Sequence, residues 1–366
     1  MQSELEPASP ATFIKTFPCG GCGAKLSFAP GTRELKCEFC GTRNAIAEND
    51  TRVEELDFEE FLKGLEGREE TVEDEVVKCE KCGAEQQLPD HHFAAHCTFC
   101  SSPVVSKSYA RRHVKPKAIV PFQVDRKRAQ EAFRRWVQGL WLAPKELKRY
   151  AQSDAAMTGM YLPYWTYDCA TDSTYQGERG EDYYTNETYR EQGTTKTRRV
   201  KQTRWHPASG RVEAFHDDVL VLASQSLPAR LRGAASEWDL TALVPYQPEF
   251  VSGYRAEAYQ IGLREGYPLA KQKIDTEVMS LIRRQIGGDQ QRVRQVSTQY
   301  ADVRFKHVLL PVWISAYRFR DKTFRFLVNG QTGEVAGESP LSWFKVTWLV
   351  VGVIVLFLII AIVSSR

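Results

Sequence analysis

Two cysteine quartets constrain this chain more than any other feature. The first is Cys19, Cys22, Cys37 and Cys40; the second is Cys79, Cys82, Cys97 and Cys100. In each, 14 residues separate the inner two cysteines, and the whole set repeats with an offset of 60 residues. A Cys-x-x-Cys pair lets two sulfurs reach one ion, and two such pairs close a tetrahedral shell with no open position. Glycine just after a knuckle supplies the positive φ that its tight turn needs, and Gly23, Gly41 and Gly83 are so placed. Ser101 breaks the pattern in the fourth knuckle. The spacing therefore predicts two structural Zn2+ sites in two small ribbons, with metal binding supplying most of the folding energy of each. His91, His92 and His96 lie near the second quartet as alternative ligands or as surface histidines of the ribbon loop. The ninth cysteine, Cys169, stands alone and reads as a small buried side chain.

Charge says what the ribbons are not built for. Over 366 residues the net charge is only +3. Residues 1–106, however, hold 10 Lys/Arg against 20 Asp/Glu, and residues 107–366 hold 39 against 26. A nucleic-acid module needs a basic footprint to neutralise phosphates, and the ribbon half is acidic. The densest acidity lies from Glu48 to Glu75, with 13 acids and three bases. Within it Val53, Leu56, Phe61, Leu62 and Leu65 recur at near-helical spacing, either as a short amphipathic helix or as a solvated linker.

The remainder of the chain carries its own repeat. "VPFQVD" at 120–125 returns as "VPYQPE" at 244–249, and "YLPYWTYD" at 161–168 returns as "LLPVWISAY" at 309–317. Between the motifs a helical stripe falls each time. Ala129, Phe133, Trp136, Val137 and Leu140 form one, with Asp125 as N-cap and Pro144 opening a second helix. Ala270, Ile274, Val278, Leu281 and Ile282 form the other, with Pro268 at its first position and Gly287-Gly288 as its stop. After each Leu-Pro-x-Trp the pattern alternates as in strands, with "TKTRRVKQTRW" and "RVEAFHDDVLVLAS" as further strands and turns at Asp321-Lys322 and Asn329-Gly330. Two α+β units, each a helix packed on an antiparallel sheet, are expected.

Val346 to Val363 is 18 residues without a charge, about 27 Å as a helix, and reads as a transmembrane helix with aromatic Trp343, Phe344 and Trp348 near its start. "MQSELEPASPATF" has no signal-peptide pattern. Together these predict a tail-anchored protein of the cell membrane with its bulk in the cytoplasm, where thiols stay reduced and lipid is a partner.

No Walker A pattern, nucleophile elbow or His-x-x-x-His helix occurs, so no enzyme is expected. "FHDDV", His216 to Val219 with its two aspartates, reads as a polar strand edge. Arg198, Arg199, Lys201 and Arg204 form a basic strand, which is either a phosphate or lipid contact or a solvated face.

Tandem ribbons, an acidic linker, "YLPYWTYD", "FHDDVLVLAS", "LLPVWISAYRF" and "FLVNGQTGEVAGESP" ahead of an apolar terminus together resemble a family of bacterial membrane proteins named for a TFIIB-type zinc ribbon. Some members carry a primosomal-helicase name, which the absence of ATPase motifs here does not support. The resemblance covers most of the chain. It implies zinc ligation by the eight paired cysteines and partners of the PspA and SPFH (flotillin-like) types.

The sequence thus predicts an α+β chain: zinc ribbon 1 (13–48), acidic linker (49–76), zinc ribbon 2 (77–106), two α+β repeats (107–236 and 237–342) and a transmembrane helix (345–363). The expected function is a non-enzymatic, tail-anchored membrane adaptor whose ribbons dock proteins. The alternative is a membrane-tethered nucleic-acid binder using the basic body.

Overall fold

The computed structural model describes residues 17–49, 51–64, 71–80, 85–87, 94–97, 99, 102–105, 108–152, 157–191, 194–234, 237–319, 322–339 and 342–364. In chain order the first ribbon holds β1 (Leu26–Phe28), β2 (Glu34–Cys37) and β3 (Arg43–Ala45). The linker gives β4 (Leu56–Asp57) and the seven-residue α1 (Phe58–Gly64). Around the second ribbon lie β5 (Thr71–Lys78), β6 (Glu85–Gln87), β7 (Ala94–His96), β8 (Pro103–Val105) and β9 (Ser108–Val114). The body runs β10 (Ala118–Ile119), α2 (Arg126–Gly139), α3 (Lys145–Gln152), β11 (Thr158–Glu191), β12 (Thr194–Leu222) and α4 (Ala229–Ala234). It continues through β13 (Val244–Pro245), β14 (Arg255–Ala256), α5 (Leu263–Ile286), β15 (Gln290–Phe319), β16 (Lys322–Asn329) and β17 (Val335–Gly337) to α6 (Trp343–Ser364).

The two repeats do not form separate α+β units, as the duplication predicts. Their equivalent motifs hydrogen-bond to each other inside one sheet of nine strands among the described residues. β11 and β15 run antiparallel, and Leu162 sits opposite Leu310, the same position of the two Leu-Pro-x-Trp motifs. β10 and β13, which abut the two Val-Pro motifs, also pair antiparallel. The physical reason is burial on both faces. Met160, Leu162 and Tyr164 of β11 join Val308, Leu310 and Val312 of β15 on one side. On the other side lie Trp165, Tyr167 and Phe305. Strands apolar on both faces must be interior to a sheet, and each motif is the other's natural neighbour.

The strands are also longer than the sequence suggests. β11 has 34 residues and β12 has 29, so the two expected segments 195–205 and 211–224 belong largely to one strand. At the usual rise β11 reaches on the order of 100 Å. Pro207 does not interrupt β12, because β12 is an edge strand of the sheet and a missing N–H on its free side costs no ladder bond. Gly180 is needed for space: a Cβ there would meet the Trp205 ring at 2.9 Å. Past Gly180, where β15 begins to pair, β11 and β12 continue alone as a two-stranded arm.

α5 covers one face of the sheet. Ala270, Ile274, Val278, Ile282 and Ile286 recur every fourth residue and are buried against Trp165, Tyr167 and Val219. The helix begins at Leu263, so Pro268 lies inside it rather than at its first turn; Gly287 ends it at φ 65. Asp125 caps α2 by accepting from the Arg128 amide at 2.8 Å, and Phe133 and Trp136 pack on Phe326 of β16.

At the C-terminus the expectation of a membrane span is corrected. A crossing needs about 20 consecutive apolar residues. Among the described residues no helix is long and apolar enough to cross a membrane. The single-pass anchor at 345–363 and the tail-anchored membrane localisation that depended on it are therefore not supported. The start of α6 is instead tied to the turn between α2 and α3: Lys345 Nζ donates to the carbonyls of Trp141 and Ala143 at 2.7 and 2.9 Å.

Candidate metal centre

Both halves of ribbon 1 close in the same way. The Gly23 amide donates to the Cys19 carbonyl at 2.8 Å, and the Gly41 amide donates to the Cys37 carbonyl at 3.1 Å. Each turn then returns: the Cys19 amide reaches the Ala24 carbonyl and the Cys37 amide the Thr42 carbonyl. Both glycines take positive φ, 72 and 77, as the knuckle turn demands. The result brings four sulfurs together. Cys19 Sγ lies 3.5 Å from Cys40 Sγ, and Cys22 Sγ lies 3.6 Å from Cys37 Sγ. One sulfur from each of the four falls within 4.8 Å of the others. A tetrahedral ion with metal–sulfur bonds of about 2.3 Å needs sulfurs about 3.8 Å apart, and the quartet meets that. These four residues can hold a metal ion.

The surroundings favour the thiolate at two of the four. The Gly21 and Cys22 amides hold the Cys19 thiol below its ordinary value. The Thr42 hydroxyl, 3.1 Å from Cys40 Sγ, and the Thr42 amide bring Cys40 down to about 6. At Cys22 the Ala24 amide pulls the same way, but the Cys40 and Cys37 sulfurs and burial outweigh it and push the thiol up to about 12. Four thiolates crowded this closely repel one another. A divalent cation removes that conflict.

The ribbon is not a free module. Cys19, Leu26, Phe28, Leu35, Cys37 and Ile46 share one core with Phe122, Phe133 and Phe250 of the body. Phe28 meets Phe250 edge-on at 5.3 Å. The Phe28 amide donates to the Ser252 carbonyl at 2.8 Å, Ser252 Oγ donates back to the Leu26 carbonyl at 2.7 Å, and the Gly31 amide reaches the Phe122 carbonyl. Packing against the body holds this ribbon. On its far side the knuckle residue Phe39 is 83% exposed, the most exposed large apolar side chain among the described residues.

For the second quartet, Cys82 and Cys100 lie outside the described residues, as do His91, His92 and Ser101. Cys79 and Cys97 are both 1% exposed and pack with Phe99 against Met160 and Leu162 of the sheet. The ladder that leads to Cys79 begins earlier than the expected ribbon boundary. β5 pairs with β9 so that Glu73 and Asp74, the acidic end of the linker, stand opposite Arg112 and Arg111.

Arg198, Arg199, Lys201 and Arg204 of β12 lie on the two-stranded arm, and each has a partner across the hairpin. Arg198 pairs with Glu187 at 2.7 Å and Lys201 with Asp182 at 2.7 Å. Arg199 lies over the Tyr184 ring at 4.2 Å and Arg204 over Tyr183 at 5.2 Å. Lys201 holds the Asp182 carboxyl below its usual range, helped by the Thr203 hydroxyl. An isolated two-stranded hairpin is marginal in water, and such cross-strand pairs are what stabilise it.

Sequence reading missed a second group of charges. Asp168 is fully buried at the centre of the sheet, and both neighbouring strands bulge beside it. On β12 the extra residue places Asp217 and Asp218 there, with Asp218 at φ 50; on β15 Asp302 takes φ 52. Lys306, also buried, lies 2.7 Å from Asp218 and 3.0 Å from Glu55. Burial works against the Lys306 ammonium, but Asp218 and Glu55 outweigh it and raise its pKa. Burial pushes the Asp168 carboxyl up to about 7. The available signal was "FHDDV" set against the lone aspartate of "YLPYWTYD"; the alternation of each strand taken singly gives no hint that they meet.

The chain is similar to a bacterial protein over most of its length. The uncharacterized protein YdjG of Bacillus subtilis (strain 168) is 27% identical over 348 residues, covering 91% of this chain and 92% of that one. No family model matches the sequence, and no solved structure matches it.

Proposed function

We propose that this chain is a non-enzymatic docking protein, in which a zinc-loaded ribbon 1 presents its knuckle to a protein partner and the sheet body holds it in place. Zinc is the ion chosen by the donor set: four thiolates in a closed tetrahedral arrangement suit a structural ion rather than a catalytic one. The second quartet, Cys79, Cys82, Cys97 and Cys100, takes the same role in this reading.

The observation that carries the proposal is Phe39. It is 83% exposed, yet it sits between the ligands Cys37 and Cys40, so its backbone is held by the knuckle itself. A rigid exposed aromatic is the usual anchor of an interface, because little entropy remains to be lost on binding. The other side of the ribbon is already spent on Phe250 and Ser252, which fixes the direction in which the knuckle points. The basic residues of the arm support this reading over nucleic-acid binding, since phosphate would have to displace Glu187 and Asp182 from their partners.

The test is a cross-linked pull-down with the full chain, Phe39→Asp and Cys40→Ser, with proteins of the PspA and SPFH types as the first candidates. A near-stoichiometric protein recovered by the unaltered chain should drop at least about tenfold with either variant, as for loss of an interface anchor. Phe39→Asp should leave thermal stability unchanged because the side chain is solvated. Equal recovery by Phe39→Asp would refute docking at this knuckle.

A further inference from the structure

The charges around Asp168 are arranged as ligands. One oxygen each from Glu55, Asp168 and Asp217 falls within 4.8 Å of the others. The three come from separate elements: the residue before β4, the central strand β11, and the bulge of β12. Alternation along β11 puts Thr166 and Asp168 on one face, with Tyr167 and Cys169 in the core on the other. On that first face two buried oxygens have no hydrogen-bond partner, Asp168 Oδ2 and Thr166 Oγ1. Buried polar atoms are almost always paired, so two orphans two residues apart on one strand call for a ligand. The other Asp168 oxygen accepts from the Asp218 amide at 2.5 Å. The Lys306 ammonium in the cluster serves Glu55 and Asp218. Among the described residues the four carboxylates Glu55, Asp168, Asp217 and Asp218 thus share one bonded ammonium, while Asp217 is exposed and gives a path to solvent.

We propose that Glu55, Asp168 and Asp217 bind a divalent cation of the hard, oxygen-preferring class (Mg2+, Mn2+ or Ca2+), which fastens the acidic segment after ribbon 1 to the bulged centre of the sheet. All three donors are carboxylates, which suit these ions and not the thiol-preferring ion of the ribbons. The local backbone is already set for it. β4 pairs with β15 at Arg304 and Phe305, which brings Glu55 alongside Lys306. Without the bulge, Asp217 and Asp218 would alternate to opposite faces; with it, both stand beside Asp168.

The experiment uses the full chain with its thiol sites zinc-loaded, titrated with Mn2+ alone while free Mn2+ is counted by electron paramagnetic resonance. One further Mn2+ per chain should bind with a Kd of about 0.1 to 1 mM, the range of modest oxygen-ligand sites, and Mg2+ or Ca2+ should compete. Asp168→Asn and Glu55→Gln should each weaken binding at least about tenfold. Asp172→Asn, on the same strand but paired with Arg211, should not. Absence of saturable Mn2+ binding in that range would show that Lys306 alone neutralises the cluster and would overturn the proposal. Binding by Asp168→Asn as tight as that of the unaltered chain would overturn it too. Should that variant fold poorly, Glu55→Gln decides on the same criterion, since Glu55 lies outside the sheet core.

Discussion

Replacing Asp168 by Asn in divalent-free buffer should stabilise the protein, by an amount that grows as pH rises from about 4 to 7 and is full above that. The carboxyl sits in the folded chain at about 7, against an ordinary value of 3.8, because burial disfavours its charged form. Below the ordinary value both folded and unfolded states are protonated, and the residue costs nothing. As pH rises from about 4 to 7 the unfolded state releases its proton while the folded state retains it, so stability falls across that window and the penalty is complete above it. One pKa unit is about 1.4 kcal/mol, so the full shift is about 4 kcal/mol; allowing for solvent reaching the cluster through exposed Asp217, about 2 to 4 kcal/mol is expected. Asn keeps an oxygen for the Asp218 amide and cannot ionise. For a body of this size that gain corresponds to a Tm rise of about 4 to 8 °C. The assay is thermal unfolding followed by the fluorescence of buried Trp165 and Trp313, at pH 5 and pH 8. Equal Tm differences at the two pH values, or destabilisation at pH 8, would refute the claim that burial of an uncompensated carboxylate dominates this site.

Two packing predictions follow from the cores. Ile274→Ala removes a fully buried side chain from the row that seats α5 on the sheet and should cost about 3 kcal/mol in urea unfolding; a loss under about 1 kcal/mol would mean that α5 does not anchor there. Phe28→Ala should weaken the seating of ribbon 1 on Phe250 and Tyr254 by about 3 kcal/mol, seen as faster amide exchange at Phe28 and Gly31 while α5 stays protected.

What the sequence made legible was local. The knuckle turns need Gly23 and Gly41, the Asp125 cap needs only its own amide three residues on, and the α5 stripe is a property of one helix. Gly287 stops that helix at positive φ, and the turn that opens at Asn329-Gly330 leads to β17 through Gly333 at φ 82. What could not be read depended on the identity of a neighbour. Whether Pro207 breaks β12 is decided by which side of that strand is paired. Whether the two Leu-Pro-x-Trp motifs build two sheets or one is decided by mutual burial, and each alone looks the same in either case. The bulges at Asp218 and Asp302 leave the alternation of their strands nearly intact, so their effect appears only when Asp168 is placed between them. The C-terminal run shows the converse: apolarity over 346–363 is plain in the sequence, whereas the described helix falls short of what a crossing requires.

The ribbon, the linker and the sheet form a connected mechanical path. Ribbon 1 rests on Phe250 and Ser252, and a few residues later β14 joins β11 at Met160 and Tyr161. After the ribbon, the Ala47 carbonyl accepts from Gln247, and β4 then joins β15 next to the Asp168 cluster. The chain leaving the cysteine knuckle is therefore fastened on both sides of the Leu-Pro-x-Trp centre before it reaches the second ribbon. A partner held at Phe39 would load a rigid platform and not a flexible tether. Such a platform needs no large metal-independent core within the ribbon, because the body supplies it. It does need the acidic segment to stay down against a sheet in which buried Asp168 gathers Glu55, Asp217 and Asp218 around the Lys306 ammonium, and neutralising that excess is the task the proposed cation would serve.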